Sequence, residues 1–405
     1  MIIKNAKVFM DTSGCFEHLD ILVRDGKIAE IAEVLDAEEE AVIDAKGCFV
    51  TPGLIEAHSH IGMCEEGIQW EGDDICENEP VTPEMRAIDA FFPGDMAFAD
   101  ALTGGVTTIC TGFGSGGVVA GTAVIVENNG SLIADEMVTG PGSANVLGGT
   151  FLAMKTVGER VDNMIVRDPV AMKCAFGENP RDFGRKGKQP NTRASVAFLL
   201  RKCLQDAIDY KIAKESAQKK NEPFKKDLGM EAMVRVIDGE IPIKAHCHRS
   251  DDICTAIRIC KEFGVKATLD HCTDGHLIAD YIAKSGYPAI VGPTFGSKSK
   301  YELRNKSFDT VPVLVHAGVK VAITTDHNVT PQESLHWLAA MYMRNGLSEA
   351  DAIRCITSNP ADILGIADKK GRIKVGLDAD IVIWDKNPLD LQAKPRCVYV
   401  RGVEK

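Results

Sequence analysis

The chain has 405 residues, of which 45% are hydrophobic and 26% are charged, a composition typical of a globular protein. This length exceeds that of one ordinary core, so we expect a large barrel-type domain accompanied by a smaller one. The formal net charge of -12 argues against a nucleic-acid-binding protein, because such proteins normally present a basic surface.

The cysteines and the first residues predict the compartment. The 13 cysteines form no CxxC pair and do not resemble a disulfide framework, which favours a reducing environment. The segment MIIKNAKVFM lacks the basic, apolar and cleavage regions of a signal peptide. No apolar run approaches the roughly 18 residues that a membrane span requires. We therefore expect a cytoplasmic protein that does not bind membranes.

The two ends of the chain share a β-rich pattern. The first end contains DILVRDGKIAEIAE, in which Asp25-Gly26 is a hairpin signal, and the last end contains GRIKVGLDADIVIWD and PRCVYVRG. Because the two ends are rich in strands and the segment between them has a different pattern, we expect the two ends to pack together. We predict that residues 1–50 and 363–405 together form a small β-sandwich domain.

Between these ends, apolar β-branched runs alternate with stretches of helical periodicity. Strands that are buried on both faces and separated by helices are typical of a parallel sheet. Seven such strands are visible, and an eighth is expected within 118–138, around TAVIVEN; the third strand is the hardest to place. We predict that residues 51–362 form an α/β structure, a (β/α)8 TIM barrel.

Histidines concentrate where these strands end. The chain has 10 histidines, and seven of them fall at or just after a predicted strand end: His58, His60, His246, His248, His271, His276 and His327. In AHSH, His58 and His60 point to the same face, because side chains alternate along a strand. Active sites of such barrels lie at the C-terminal strand ends. Imidazoles with Asp326 in TTDH suit zinc, with iron or manganese as alternatives.

Lys173, in AMKCAFGENP, is the unusual member of this group. A protonated lysine would repel metal ions, so one interpretation is a buried ion pair with Asp270 or Glu178. The other is a carbamate, formed from the amine and CO₂, which would be an anionic bridge between two metals. The residues alone leave both interpretations open.

The order HxH, Lys, His, His, Asp on successive strands resembles the amidohydrolase superfamily, in its imidazolonepropionase-like and prolidase-like (Xaa dipeptidase) branch. TPGLIEAHSH and SNPADILGIADKKGRIKVGLDADIVIWD also carry this resemblance. It implies one metal held by His58, His60 and Asp326. It further implies a carbamylated Lys173 as the bridge and a second, more exposed metal held by His246 and His271.

The resemblance implies an enzyme that hydrolyses a carbon–nitrogen amide bond with a metal-bound hydroxide. Asp326 would be the catalytic residue that takes the proton of the water and returns it to the leaving nitrogen. The substrate would be small, such as a dipeptide, an N-acyl amino acid or a cyclic amide. The alternatives are a mononuclear deaminase or deacetylase of the same fold, and a catalytically inactive barrel that serves as a scaffold.

Further polar residues near the strand ends are candidates for substrate binding: His248, His276, His327, Glu178 and Arg181. Together with Arg249, Arg181 suggests a substrate that carries a carboxylate, because guanidinium pairs with carboxylate in a bidentate geometry. The expected partner is therefore a small molecule. Homo-oligomers are common among similar enzymes.

Overall fold

The computed structural model describes residues 1–36, 40–67, 73–130, 161–182, 187 and 189–405. Its strands are, in chain order, β1 (Ile2–Met10), β2 (Cys15–Arg24), β3 (Lys27–Ala32), β4 (Val42–Asp44), β5 (Phe49–Pro52), β6 (Leu54–Ser59), β7 (Val106–Thr111), β8 (Val119–Glu127), β9 (Ile165–Ala175), β10 (Ile243–Cys247), β11 (Ala267–His271), β12 (Ala289–Val291), β13 (Val321–Ile323), β14 (Ile381–Trp384), β15 (Pro395–Val400) and β16 (Val403–Glu404). These strands form two separate sheets.

The first sheet combines both ends of the chain, as expected. Its order is β16-β15-β14-β5-β1-β2-β3, and β4 pairs with β1. The hairpin between β2 and β3 turns at Asp25 and Gly26, whose φ angles of 49° and 73° are the left-handed values that a tight two-residue turn requires. Buried aliphatic residues from both ends share one core cluster, including Ile21, Val50 and Ile381.

The second sheet is an eight-stranded, nearly closed barrel with the order β6-β7-β8-β9-β10-β11-β12-β13. All side chains of β6, β7 and β8 are buried, as expected for strands covered on both faces. The backbone N–H of His60, just after β6, donates to the carbonyl of His327, just after β13, at 2.8 Å. The eight-stranded barrel and the strand around TAVIVEN are therefore confirmed.

The third barrel strand, β8, is not parallel to its neighbours, in contrast to the uniformly parallel barrel that the sequence predicted. Strand β8 runs antiparallel to both β7 and β9, whereas the neighbouring pairs from β9 to β13 are parallel. Only residues 112–118 separate β7 from β8. A parallel connection needs a crossover of about a dozen residues or more, so this short glycine-rich segment can make only a hairpin-like return.

The helices lie outside the sheets. They are α1 (Ala87–Ala90), α2 (Ala97–Thr103), α3 (Arg193–Lys220), α4 (Leu228–Ile237), α5 (Ser250–Phe263), α6 (Ala279–Ser285), α7 (Thr310–His316), α8 (Leu335–Met343), α9 (Glu349–Arg354) and α10 (Ser358–Leu364). Within the described residues, no helix has the length and apolar character needed to cross a membrane.

A buried charge cluster joins the two sheets. The Lys370 ammonium, 1% exposed, lies 2.7 Å from a carboxylate oxygen of Glu127 at the end of β8 and 2.7 Å from one of Asp380 just before β14. Arg401 also pairs with Glu127. A lysine can be buried here because its charge is compensated by carboxylates from both sheets.

Substitution of Lys370 tests this link. Lys370→Met should lower the free energy of unfolding by about 3–5 kcal/mol, because the buried Asp380 carboxylate loses its cation and Glu127 keeps only Arg401. The measurement is urea unfolding, compared with Lys374→Met, an exposed position on the same segment. Equal unfolding midpoints for the two variants would show that the cluster does not stabilise the protein.

Candidate metal centre

The C-terminal ends of the parallel barrel strands bring five predicted residues together. His58 lies near the end of β6, Lys173 near the end of β9, His246 in β10, and His271 at the end of β11. Asp326 follows β13 by three residues. The side chains of the first four are at least 95% buried, and that of Asp326 is 13% exposed. The fold therefore assembles these groups in one water-poor site.

Barrel closure sets the distance between the first and the last of these residues. The buried Glu56 carboxylate accepts hydrogen bonds from the backbone N–H of His58 at 3.1 Å and from the N–H and hydroxyl of Thr325 at 2.9 and 2.7 Å. The Thr324 hydroxyl donates to the carbonyl of His58 at 2.7 Å. As a result, Asp326 Oδ1 lies 3.5 Å from His58 Nε2 and 3.3 Å from His60 Nε2.

The imidazoles are oriented through their Nδ1 atoms. His60 Nδ1 lies 2.7 Å from the carbonyl oxygen of Gly112, and His271 Nδ1 lies 2.8 Å from that of Gly292. A carbonyl can only accept, so Nδ1 carries the proton in both rings and Nε2 keeps its lone pair. His58 Nδ1 contacts Asp270 at 2.7 Å. This arrangement is typical of metal-ligating histidines.

Two sets of ligand atoms share His271. In the first set, His246, His248 and His271 each offer one atom, and the three atoms lie within 4.8 Å of one another. The second set, with the same limit, is His58, His271 and Asp326. Three buried atoms of these sets have no hydrogen-bond partner within the described structure: His246 Nε2, His271 Nε2 and Asp326 Oδ1. Buried polar atoms are normally paired, so these atoms fit metal coordination.

Lys173 is not in the ion pair that one interpretation of the sequence expected. Its Nζ lies 3.2 Å from His58 Nε2, whereas the expected partner, Asp270, is 3.0 Å from Lys244 Nζ. Within the described residues, no carboxylate oxygen lies within 4.0 Å of Lys173 Nζ. The neighbouring strands place the two lysines in direct register, and Lys244 takes the carboxylate.

Burial shifts the pKa values of Lys173, His246 and Asp326. It lowers the pKa of Lys173 to about 8 and that of His246 well below its usual range. Burial would raise the pKa of Asp326, but the nearby His271 and the other imidazoles outweigh it, and the pKa falls below its usual value. These shifts favour a neutral ring at His246 and an ionised carboxylate at Asp326, which are the forms that bind metals.

Two of these residues have unusual backbone conformations. His271 has a φ of 74° and Asp326 a φ of 53°, values that are uncommon for residues other than glycine. Such strained positions persist where the surrounding structure over-determines them and cluster at functional sites. Here they turn both side chains into the strand-end site.

A cavity of about 870 Å³ opens onto this site. Its wall includes His60, His246, His248, His271 and Asp326, together with residues of the loops that follow the strands. Two of the five predicted substrate-binding residues, His248 and Glu178, line it.

The other three predicted substrate-binding residues lie off the cavity wall. His276 contacts the Thr310 hydroxyl at 3.0 Å, and His327 lies 3.3 Å from Glu66. Arg181 donates to the carbonyl of Asn191 at 3.2 Å. Proximity to a strand end in sequence does not ensure that a side chain points into the cavity.

Lys244 and Glu56 contribute to the site without having been singled out in the sequence. Each lies two residues before a candidate histidine, Lys244 before His246 and Glu56 before His58. Side chains two residues apart share a strand face, so both charged groups point into the barrel interior. That periodicity was the signal that could have found them.

A barrel with histidines, a lysine and an aspartate at its C-terminal strand ends offers the ligand types of a metal site at the position where barrel proteins place their active sites. Residues 49–403 match the Amidohydrolase family. The chain belongs to this family, and the resemblance seen in its motifs is confirmed.

Three known proteins are similar to this chain over most or all of its length. A crystal structure of an amidohydrolase from Thermotoga maritima MSB8 is 36% identical, with a TM-score of 0.90, and covers 100% of this chain and 98% of that one. The amidohydrolase tasK of Hapsidospora irregularis is 27% identical over 95% of this chain, which spans 39% of that protein. An imidazolonepropionase of Brucella anthropi is 24% identical over 93% of this chain and 90% of its own length.

The buried Lys244–Asp270 pair, which holds His58, can be tested by a double-mutant cycle. Lys244→Met and Asp270→Asn should each lower the free energy of unfolding by about 3–5 kcal/mol, because each leaves a buried partner uncompensated. The double variant should lose less than the sum, with a coupling of about 0.5–3 kcal/mol.

The control is the same cycle on Lys202 and Asp206, an exposed pair on α3, which should couple by at most about 0.5 kcal/mol. Denaturant unfolding measures all the variants. Additive effects at Lys244 and Asp270 would contradict the coupling.

Proposed function

We propose that this chain is a metal-dependent amidohydrolase that uses two divalent metal ions to hydrolyse a carbon–nitrogen amide bond in a small molecule. The observation that carries this proposal is the pair of adjoining ligand sets that share His271, beside Lys173, whose Nζ lies 3.2 Å from His58 Nε2 and has no carboxylate partner among the described residues. One set alone would support one metal ion. His271 can bind only one of the two ions, because its Nδ1 donates to the carbonyl of Gly292 and only Nε2 is left. The other group of ligand atoms is completed by His60, whose Nε2 lies 3.3 Å from Asp326 Oδ1. The two adjoining groups therefore support two metal ions.

We assign His58, His60 and Asp326 to the inner metal and His246 and His271 to the outer one. His246 Nε2 and His271 Nε2 support this assignment, because both are buried and unpaired within the described structure. His248 is assigned to the substrate side, since its Nε2 faces a Glu302 oxygen at 3.7 Å. Zinc suits this set, and iron or manganese accepts the same ligands.

Lys173 would act as a carbamate between the two ions. Its amine is buried beside His58 and has no carboxylate partner among the described residues. The lowered pKa of about 8 leaves part of the amine neutral near physiological pH, and only the neutral amine adds CO₂. The resulting carbamate has the negative charge that a bridging ligand needs.

Divalent metals in such a site supply an acidified water and a Lewis acid for a carbonyl oxygen. The protein provides the proton transfer. The Asp326 carboxylate borders the cavity, so it can accept a proton from water and return it to the leaving nitrogen. Amide hydrolysis requires this second transfer, because an amide anion is a very poor leaving group.

Elemental analysis of metal content per chain tests the binuclear proposal. Protein purified without chelators should contain two equivalents, and Lys173→Ala should lose metal and activity together. Lys284→Ala, an exposed change on α6, is the control and should keep both. One equivalent in the unaltered protein would instead support a mononuclear deaminase or deacetylase, and none after reconstitution would support an inactive scaffold.

Asp326→Asn tests the proton transfer. The substitution keeps an oxygen ligand but removes the base, so kcat should fall by about 10²–10⁴-fold. Turnover of dipeptides, N-acyl amino acids and cyclic amides is the assay. The exposed Asp309→Asn variant should retain full activity, and an equally active Asp326→Asn enzyme would exclude this role.

A further inference from the structure

Three lysines lie on the loop between β12 and α7, on one side of the cavity, and their surroundings differ. Lys300 lies 2.6 Å from a carboxylate oxygen of Glu302 and donates to Asn179 at 2.9 Å. Lys298 is exposed, donates to the carbonyl of Arg304 at 2.6 Å and is not part of the cavity wall. The charge of Lys300 is therefore compensated, and Lys298 faces solvent.

Lys306 is different from both. Its Nζ donates to the carbonyls of Phe295 at 3.2 Å and Ser297 at 3.1 Å, and within the described part of the chain no carboxylate oxygen lies within 4.0 Å of it. An ammonium has three N–H donors, so one remains for a ligand. The two carbonyls fix the position of the ammonium, and its charge is uncompensated.

The position of Lys306 connects this charge to the metal centre. Its side chain is half-buried and lines the main cavity together with His271 and Asp326. It also lines a small adjoining pocket with His271, Gly292 and Thr310. An anion that binds Lys306 would therefore occupy the same cavity as the metal-ligand set.

We propose that Lys306 binds a carboxylate of the substrate and thereby determines specificity. The substrate class is then amides with a carboxylate close to the scissile bond, namely dipeptides and N-acyl amino acids, in preference to uncharged amides. This inference rests on the proposed function, because it takes the cavity as the substrate site. A charged partner makes such a hydrogen bond stronger than a neutral one would.

The remaining charges of the cavity support this placement. Arg249, which the sequence suggested for a carboxylate, pairs with Asp251 at 2.8 Å and is not part of the wall. Elsewhere the wall carries Glu77, Glu178 and Asp182, whose charges disfavour a substrate carboxylate. Among the described residues of the wall, Lys306 is the cation without a carboxylate oxygen within 4.0 Å and is thus the favourable position for an anion.

The experiment compares N-acetyl-L-leucine with N-acetyl-L-leucinamide, which differ only in the carboxylate; the apolar Phe295 and Leu303 of the wall suit the leucine side chain. For the acid, Lys306→Met should raise KM by about 10- to 100-fold with little change in kcat. Kinetics on the amide should change less than about 3-fold. Lys306→Arg should restore most of the acid activity, and Lys298→Met should behave as the unaltered enzyme.

Equal losses on acid and amide would indicate a structural role and overturn the proposal, as would unchanged kinetics on both.

A binding measurement separates this inference from the proposed function. In metal-loaded Asp326→Asn protein, calorimetry should show tighter binding of the acid than of the amide, and Lys306→Met should remove that preference. If the preference is present but the unaltered enzyme cleaves neither these compounds nor any of the dipeptides, N-acyl amino acids and cyclic amides assayed above, the hydrolytic function fails and the carboxylate site stands. Absence of any preference overturns the carboxylate site.

Discussion

The site depends on the way the barrel closes between its first and last strands. Glu56, fully buried on β6, accepts hydrogen bonds from its own strand and from Thr325 after β13. Burial raises the pKa of this carboxyl group, and its hydrogen bonds partly oppose that effect. Closure through Glu56 places the His58–His60 pair against Asp326, although the two segments are far apart in the chain. Without this contact the proposed inner metal would lose one side of its ligand set.

A second layer of contacts then orients the ligands. His58 is held by Asp270, and Asp270 is held in turn by Lys244. Although burial would raise the pKa of Asp270, the Lys244 ammonium and the His58 hydrogen bond keep it well below its usual range. This arrangement also explains the state of Lys173, because the neighbouring lysine has already taken the available carboxylate. Because Lys244 pairs with Asp270, Lys173 has no carboxylate partner among the described residues, which suits the proposed carbamate.

The barrel strands and the loops that follow them contribute different parts of the site. The strand ends carry the proposed ligands, and the loops after them complete the wall of the cavity. In barrels of this kind, such loops commonly determine specificity. Glu178 and Lys306 come from different loops and carry opposite charges on the same wall. The proposed reaction therefore depends on the strand ends, whereas the proposed preference for a carboxylate-bearing amide depends on the loop between β12 and α7.

The sequence by itself determined the barrel, the β-rich sheet shared by both chain ends and the residues that converge at the strand ends. Hydrophobic periodicity and motif order encode these features locally. Only the tertiary structure decided the antiparallel direction of β8, the pairing of Asp270 with Lys244 and the place of Lys306 on the cavity wall. It also placed Arg181 away from the cavity. The reason is that strand direction, ion pairing and loop orientation depend on contacts between residues distant in the chain, which no local pattern records.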